Sequence, residues 1–326
     1  MTMTAAAPAV SARATWTDRL RFAAGIVVVW AGLHFLVNPL LPPRGLDRPP
    51  VLVTGRFGPL AGLLAAGVLW AGAAVAASPL LHRNRRGVML AVAGGLALWA
   101  AEGGRTGGTM ADWLILQNEV PGGPRGGPYW WLLADYVYLL VGFAGAVVIS
   151  GLPGRRAQRH AGIPGAGERD RHGWRALLLA AAGLEQPGKQ RAVRVNALLL
   201  STVIAGVAMF VLMGPTVDAV LRGQVYFAAI VSFMLGVYVA GRLLDVREAR
   251  CYWLGPFLLG ACGLAVAGLR PGLGLPAGYQ DLNILPGWNL ARALPAEMVG
   301  AGLVGVLWLL HGERADRADE ARKERS

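Results

Sequence analysis

The chain has 326 residues, of which 55% are hydrophobic and only 15% charged, and it carries a net charge of +12. Soluble domains usually hold about 25% charged residues, and here the charges punctuate long apolar blocks, so a soluble domain is excluded. Outer-membrane barrels show short segments alternating at period two, and none appear. The expected fold class is all-α, a polytopic helical membrane protein.

In chain order, eight segments approach the roughly 20 residues needed to cross about 30 Å of hydrocarbon. They are Phe22–Leu41, Gly58–Leu81, Gly87–Ala101, Tyr129–Leu152, Val195–Gly214, Val225–Leu244, Tyr252–Leu269 and Pro295–His311. The third is the shortest. The first continues into "VNPLLPPRGLD" with no A-x-A-like site, so it is expected to remain as a signal anchor. Between the fourth and fifth lies a Gly- and Arg-rich hydrophilic stretch ending in "WRALLLAAAGL", Trp174–Leu184, which suits a cytoplasmic interfacial helix. The expected organisation is therefore a tail 1–21, a first four-helix half 22–152, a linker 153–194, a second half 195–311 and a charged tail 312–326. This is a four-plus-four arrangement. Internal repeats are common in transporters, yet the two halves share no convincing register.

Basic residues orient the chain. Of the 31 Lys and Arg, 23 fall in the tails and even-numbered loops and 8 in the odd-numbered loops. Cytoplasmic segments collect Lys and Arg, so both termini are expected in the cytoplasm. The whole excess of positive charge then lies on that face, towards anionic lipid, which removes a nucleic-acid reading of the pI near 10.7. Arg outnumbers Lys 29 to 2, a bias that points to a bacterial, GC-rich source and hence to the inner membrane. Cys251 and Cys262 are expected on one helix, about 16 Å apart at 1.5 Å per residue. That is too far for a mutual disulfide, and both read as buried small apolar residues.

Leu20–Pro39, "LRFAAGIVVVWAGLHFLVNP", resembles the first helix of DoxX-type membrane proteins, which are four-helix proteins linked to redox metabolism. The resemblance covers that helix alone, and no function is carried over from it.

Four ionisable residues interrupt the spans, all at the expected outer side. His34 lies past the midpoint of the first span, with Trp30 and Asn38 on the same stripe one turn either way. Glu102 ends the third span. Asp135 lies about 9 Å into the fourth at 1.5 Å per residue, and Glu297 opens the eighth. Asp135 shares a face with Tyr138, Gly142 and Ala146, and Glu297 with Ala301 and Gly305. Small residues mark close helix approach in bilayers, so both acids are expected to face protein. Gly58, Gly62 and Ala66 form a similar seam on the second span. The partners open to Asp135 are Arg105, Arg125, Arg292 and His34.

An intramembrane acid is a functional-site hypothesis by default, whereas an acid at a helix end is most often solvated or set against the dipole. His34 reads as a hydrogen-bonded structural histidine. The other four histidines lie at or beyond the cytoplasmic ends, so no bis-His haem is indicated, and no local metal signature appears. No P-loop, HExxH, GxSxG or Rossmann glycine pattern occurs, and nothing names a cofactor. A short helix over Met110–Glu119 is expected in the third loop. The third and seventh loops could cover an outward-facing cavity.

Two readings follow. The first is a transport-type protein or a subunit of a membrane complex, in contact with the lipid bilayer and docking partner proteins through Gly/Ala faces and outer loops. The second is a membrane enzyme acting on a lipid or lipid-linked substrate at the outer leaflet. In that case Asp135, Glu297, Glu102 and His34 are the candidate catalytic residues.

Overall fold

The structure, a computed structural model, describes residues 16–41, 51–52, 58–77, 85–102, 127–160, 189–213, 222–246, 251–270 and 289–323. Among them there is no strand. The main helices are α1 (Trp16–Gly32), α2 (Gly58–Ala76), α3 (Arg85–Glu102), α4 (Gly127–His160), α5 (Lys189–Leu212), α6 (Arg222–Leu243), α7 (Gly255–Leu269) and α8 (Pro295–Lys323). Each falls on one expected span. The expected helices at Met110–Glu119 and Trp174–Leu184 lie outside the described residues.

Six of these helices are long and apolar enough to cross a membrane: Arg19–Leu40, Gly58–Ala76, Tyr129–Ser150, Lys189–Leu212, Gly223–Leu243 and Tyr252–Leu269. The apolar parts of the other two, Gly87–Glu102 and Pro295–Leu310, are shorter. These two are also deeply enclosed. Every residue from Leu290 to Leu303 is buried, and so is every residue from Val88 to Ala93. α3 and α8 lie against each other, and α1, α2, α4, α6 and α7 each pack on one or both of them. A helix walled by protein makes its contacts with neighbouring side chains, so it can be short and rich in Ala and Gly.

Several boundaries differ from expectation. α2 ends at Ala76 instead of Leu81. α5 starts at Lys189, before Val195, because nothing in "KQRAVR" opposes a helix. α4 runs on to His160 and α8 to Lys323, into the regions expected as linker and tail. The two cysteines do not share one α-helix. Cys251 precedes the 3-10 turn Tyr252–Leu254, and α7 begins only at Gly255. Both thiols are free, Cys251 buried as expected but Cys262 exposed.

α1 does not stop at Gly32. It widens into a π segment, Leu33–Val37, and then tightens into the 3-10 turn Asn38–Leu40. The Asn38 amide donates to the Leu33 carbonyl, five residues back. Pro39 explains why α-helix cannot continue: it has no N–H, and its ring crowds the carbonyl four residues earlier.

Glycines set the closest approaches. α1 and α2 meet where Gly72 abuts the Gly25 carbonyl and Val29, so closely that a methyl group at Gly72 would overlap the Val29 side chain. α2 and α4 meet where Gly62 lies under the Tyr138 ring and Gly142 against Ala66 and Leu69. These are the seams expected on both helices. In the second half, Gly236 of α6 abuts the Ser201 carbonyl and Ala205 of α5. Gly305 of α8 abuts Ile230 of α6, on the face expected from Glu297. Among the described residues the halves join mainly along α3–α8 and α4–α7, with a smaller contact between α4 and α8 and a hydrogen bond from the Tyr226 hydroxyl of α6 to the Ala97 carbonyl of α3. Gly300 of α8 rests on Ala97 of α3, and Gly260 of α7 lies under the Tyr136 hydroxyl of α4. α4 and α7 are antiparallel: Trp130 is near Gly268, Tyr136 near Gly260 and Phe143 near Phe257.

Candidate functional site

The site is built where α1 and α3 come together at the end of α3. Helical spacing puts Trp30, His34 and Asn38 along one stripe of α1, and puts Trp99 and Glu102 on one face of α3. Two indole N–H groups then cross between the helices in opposite directions. Trp30 Nε1 donates to Glu102 Oε2 at 2.6 Å, and Trp99 Nε1 donates to Asn38 Oδ1 at 2.9 Å. His34 Nδ1 lies 3.2 Å from the same Glu102 oxygen. The imidazole stacks on Trp30, with ring centroids 5.6 Å apart and an interplanar angle of 27°, and meets the edge of Phe35 at 4.7 Å. The π segment carries His34 itself, and π turns recur at functional sites.

His34 and Glu102 are each 34% exposed. Among the described residues, Glu102 Oε1 and His34 Nε2 have no partner. The carboxylate is thus held by one oxygen and open at the other. If Glu102 is ionised, His34 donates from Nδ1 and presents Nε2 outward as an acceptor; a protonated ring presents a donor there instead. The pair can hold, exchange or offer a proton, and it can bind a polar group through both open atoms.

The other two candidate acids are placed differently. Asp135 is 1% exposed, and its Oδ2 accepts the Leu52 backbone N–H at 2.8 Å. It ties α4 to the segment leading into α2. Glu297 is 2% exposed, and its Oε2 accepts the Leu294 N–H at 3.0 Å. That is half of a capping box, with the acid in the first turn where the dipole favours it. Each acid satisfies a backbone donor that would otherwise be buried and unpaired, a need worth about 1–3 kcal/mol. Arg292, just before α8, is also buried, and that burial lowers its pKa from the ordinary value.

Of the four residues singled out by depth, the structure therefore brings His34 and Glu102 together, while Asp135 and Glu297 are buried, each accepts a backbone N–H, and both lie within electrostatic reach of Tyr136. His34, one partner considered for Asp135, bonds Glu102 instead. Among the described residues no three His, Cys, Asp or Glu side chains gather as a metal would require. Sequence reasoning missed the two indole donors. The available signal was Trp99, one turn before Glu102, facing a stripe that already held Trp30 and Asn38.

Comparison with protein-family models, curated proteins and solved structures gives no match. The resemblance of the first helix to DoxX-type proteins rests on that helix alone.

Proposed function

We propose that this is a multi-pass protein of the bacterial inner membrane, with eight spans in a four-plus-four arrangement and both termini in the cytoplasm. It is of transport type or a subunit of a membrane complex, and its working site is the Trp30–His34–Glu102 cluster. The observation that carries this reading is the contrast among the acids. Asp135 and Glu297 are sealed and engaged by backbone N–H groups, whereas Glu102 is open and joined to a histidine. The Lys and Arg distribution supports the orientation. The burial of α3 and α8 supports spans that are short because protein surrounds them.

In the transport reading, His34 and Glu102 exchange a proton with a solute or with the outer aqueous phase while Trp30 holds the carboxylate in place. The test is proton flux in proteoliposomes holding the purified full chain and a pH-sensitive dye. His34→Ala and Glu102→Gln are each expected to lower flux at least tenfold, with Asp135→Asn unchanged. If flux is absent in wild type as well, the subunit reading predicts that the same two variants lose a co-purifying membrane partner. Variants matching wild type in both assays would remove the cluster from function.

A second reading is favoured by one observation. Phe35 and Leu36, beside His34, are 66% and 56% exposed, so the pair is flanked by surface suited to lipid. A membrane enzyme taking a lipid or lipid-linked substrate would use His34 and Glu102 as acid and base. It predicts a lipid species that accumulates in cells carrying Glu102→Gln, read by mass spectrometry.

A further inference from the structure

We infer that the chain is a dimer fused into one polypeptide: α1–α4 and α5–α8 are two copies of one four-helix unit, exchanged by a two-fold relation, and only the first copy carries the polar site. This rests on helix contacts and stands whether or not the proposed function does.

The neighbours of each helix correspond. α1 touches α2 and α3, α2 touches α4, and α3 touches α4. Likewise α5 touches α6 and α7, α6 touches α8, and α7 touches α8. The one departure is that α2 also touches α3, with no contact of like extent between α6 and α7.

The residues at these contacts keep register. Gly72 on Gly25 and Val29 is matched by Gly236 on Ser201 and Ala205. Gly142 on Ala66 is matched by Gly305 on Ile230. The interval from Ala66 to Gly72 equals that from Ile230 to Gly236, and the interval from Gly25 to Val29 equals that from Ser201 to Ala205. Four helices, paired twice at the same intervals, are not expected of unrelated bundles.

The junction between the halves decides the symmetry. Exchanging the units turns α3 against α8 into α7 against α4, and both junctions exist. Their closest points, Ala97 with Gly300 and Gly260 with Tyr136, correspond to within one residue of the register set by Gly142 and Gly305. A repeat related by simple displacement would make one such junction and leave its counterpart open. Two equivalent junctions are the mark of an isologous, closed pair.

The register then separates what builds the fold from what was added. Counting on from Val29 and Ala205, His34 corresponds to Phe210 and Trp30 to Gly206. Counting on from Ala97 and Gly260, Glu102 corresponds to Ala265 and Trp99 to Cys262. The second unit has no ionic pair at this place. Asp135 and Glu297, by contrast, fall within a helical turn of each other's counterpart positions, and each accepts a backbone N–H from outside its own helix. Both units keep a buried acid for assembly; one unit keeps an accessible histidine–glutamate pair.

The test is to rebuild the pair in the second unit of the full-length protein. Phe210→His alone and Phe210→His with Ala265→Glu are compared by NMR titration of the new imidazole in nanodiscs. A facing carboxylate should raise its pKa by about one unit or more in the double variant. Equal titration in the two variants would overturn the inference. Cross-linking gives a second readout, with Cys251→Ser and Cys262→Ser as background. Phe210→Cys with Ala265→Cys should form a disulfide as readily as His34→Cys with Glu102→Cys. A disulfide confined to the first unit would overturn the correspondence. Failure of flux or partner assays would leave both results unaffected.

Discussion

The α1–α3 and α5–α7 interfaces use different residues at corresponding heights. In the first, two indoles, a histidine, an asparagine and a glutamate cross-link the helices. In the second, Gly206 lies against Leu259 and Gly255 against Thr202, contacts of apolar and hydroxyl groups. Both interfaces hold two helices together, so the polar set in the first is not needed for that task. A polar cluster with an accessible acid and base, in a setting where unpaired polar groups are costly, is what the proposed function rests on.

The comparison can be broken most forcefully at the shared glycines. Gly72→Val and Gly236→Val each drive a side chain into a neighbouring helix, and overpacking of this kind costs about 3 kcal/mol at the upper end of its usual range. Similar losses, measured by unfolding of the purified protein in detergent, would show that the two positions do the same work. A loss in one half alone would break the comparison.

Next come the sealed acids. Asp135→Ala strands the Leu52 N–H and is expected to cost about 2 kcal/mol, with Asp135→Asn recovering most of it because an acceptor remains. Glu297→Ala removes a cap and is expected to cost about 1 kcal/mol. Hydrogen exchange at Leu52 and Leu294 should rise in the matching variant. The smallest stability effect belongs to the open pair. His34→Ala and Glu102→Gln should each change unfolding by less than about 1 kcal/mol, as expected for a partly exposed ionic contact. Their effect should instead appear in flux, partner retention or lipid composition. A large unfolding change with normal function would assign the pair to structure.

Much of the architecture was legible in the residues. The apolar blocks located the eight main helices among the described residues, because hydrophobic length is what a bilayer reads. The glycine faces of α2, α4 and α8 were legible too, since small residues spaced by a helical turn have few other uses in a membrane. The correspondence of the halves was hidden. Gly25 matches Ser201, Val29 matches Ala205 and Ala66 matches Ile230: size and place are kept while identity is not. The connection from α1 to α2 is also longer than that from α5 to α6, which shifts the alignment after the first helix. The site was half legible. Depth alone picked out His34 and Glu102, but they stand 68 positions apart, and only packing of α1 on α3 pairs them. Asp135 drew attention as a lone acid in an apolar run. One of its partners, the Leu52 backbone amide 83 positions away, leaves no trace in side-chain chemistry.

The π segment at Leu33–Val37 has a consequence for angle. Each residue of an α-helix advances the chain by about 100°, and a π turn takes in one residue more than an α turn for each hydrogen-bonded loop. The inserted residue therefore resets the compass bearing of everything beyond it, Asn38 included. Winding the same residues as an ordinary α-helix, with none removed, would swing Asn38 away from Trp99 by roughly that same angle. The outer end of α1 thus works like a dial set one notch forward, and its setting is what lets one helix aim both a histidine and an asparagine at the same neighbour.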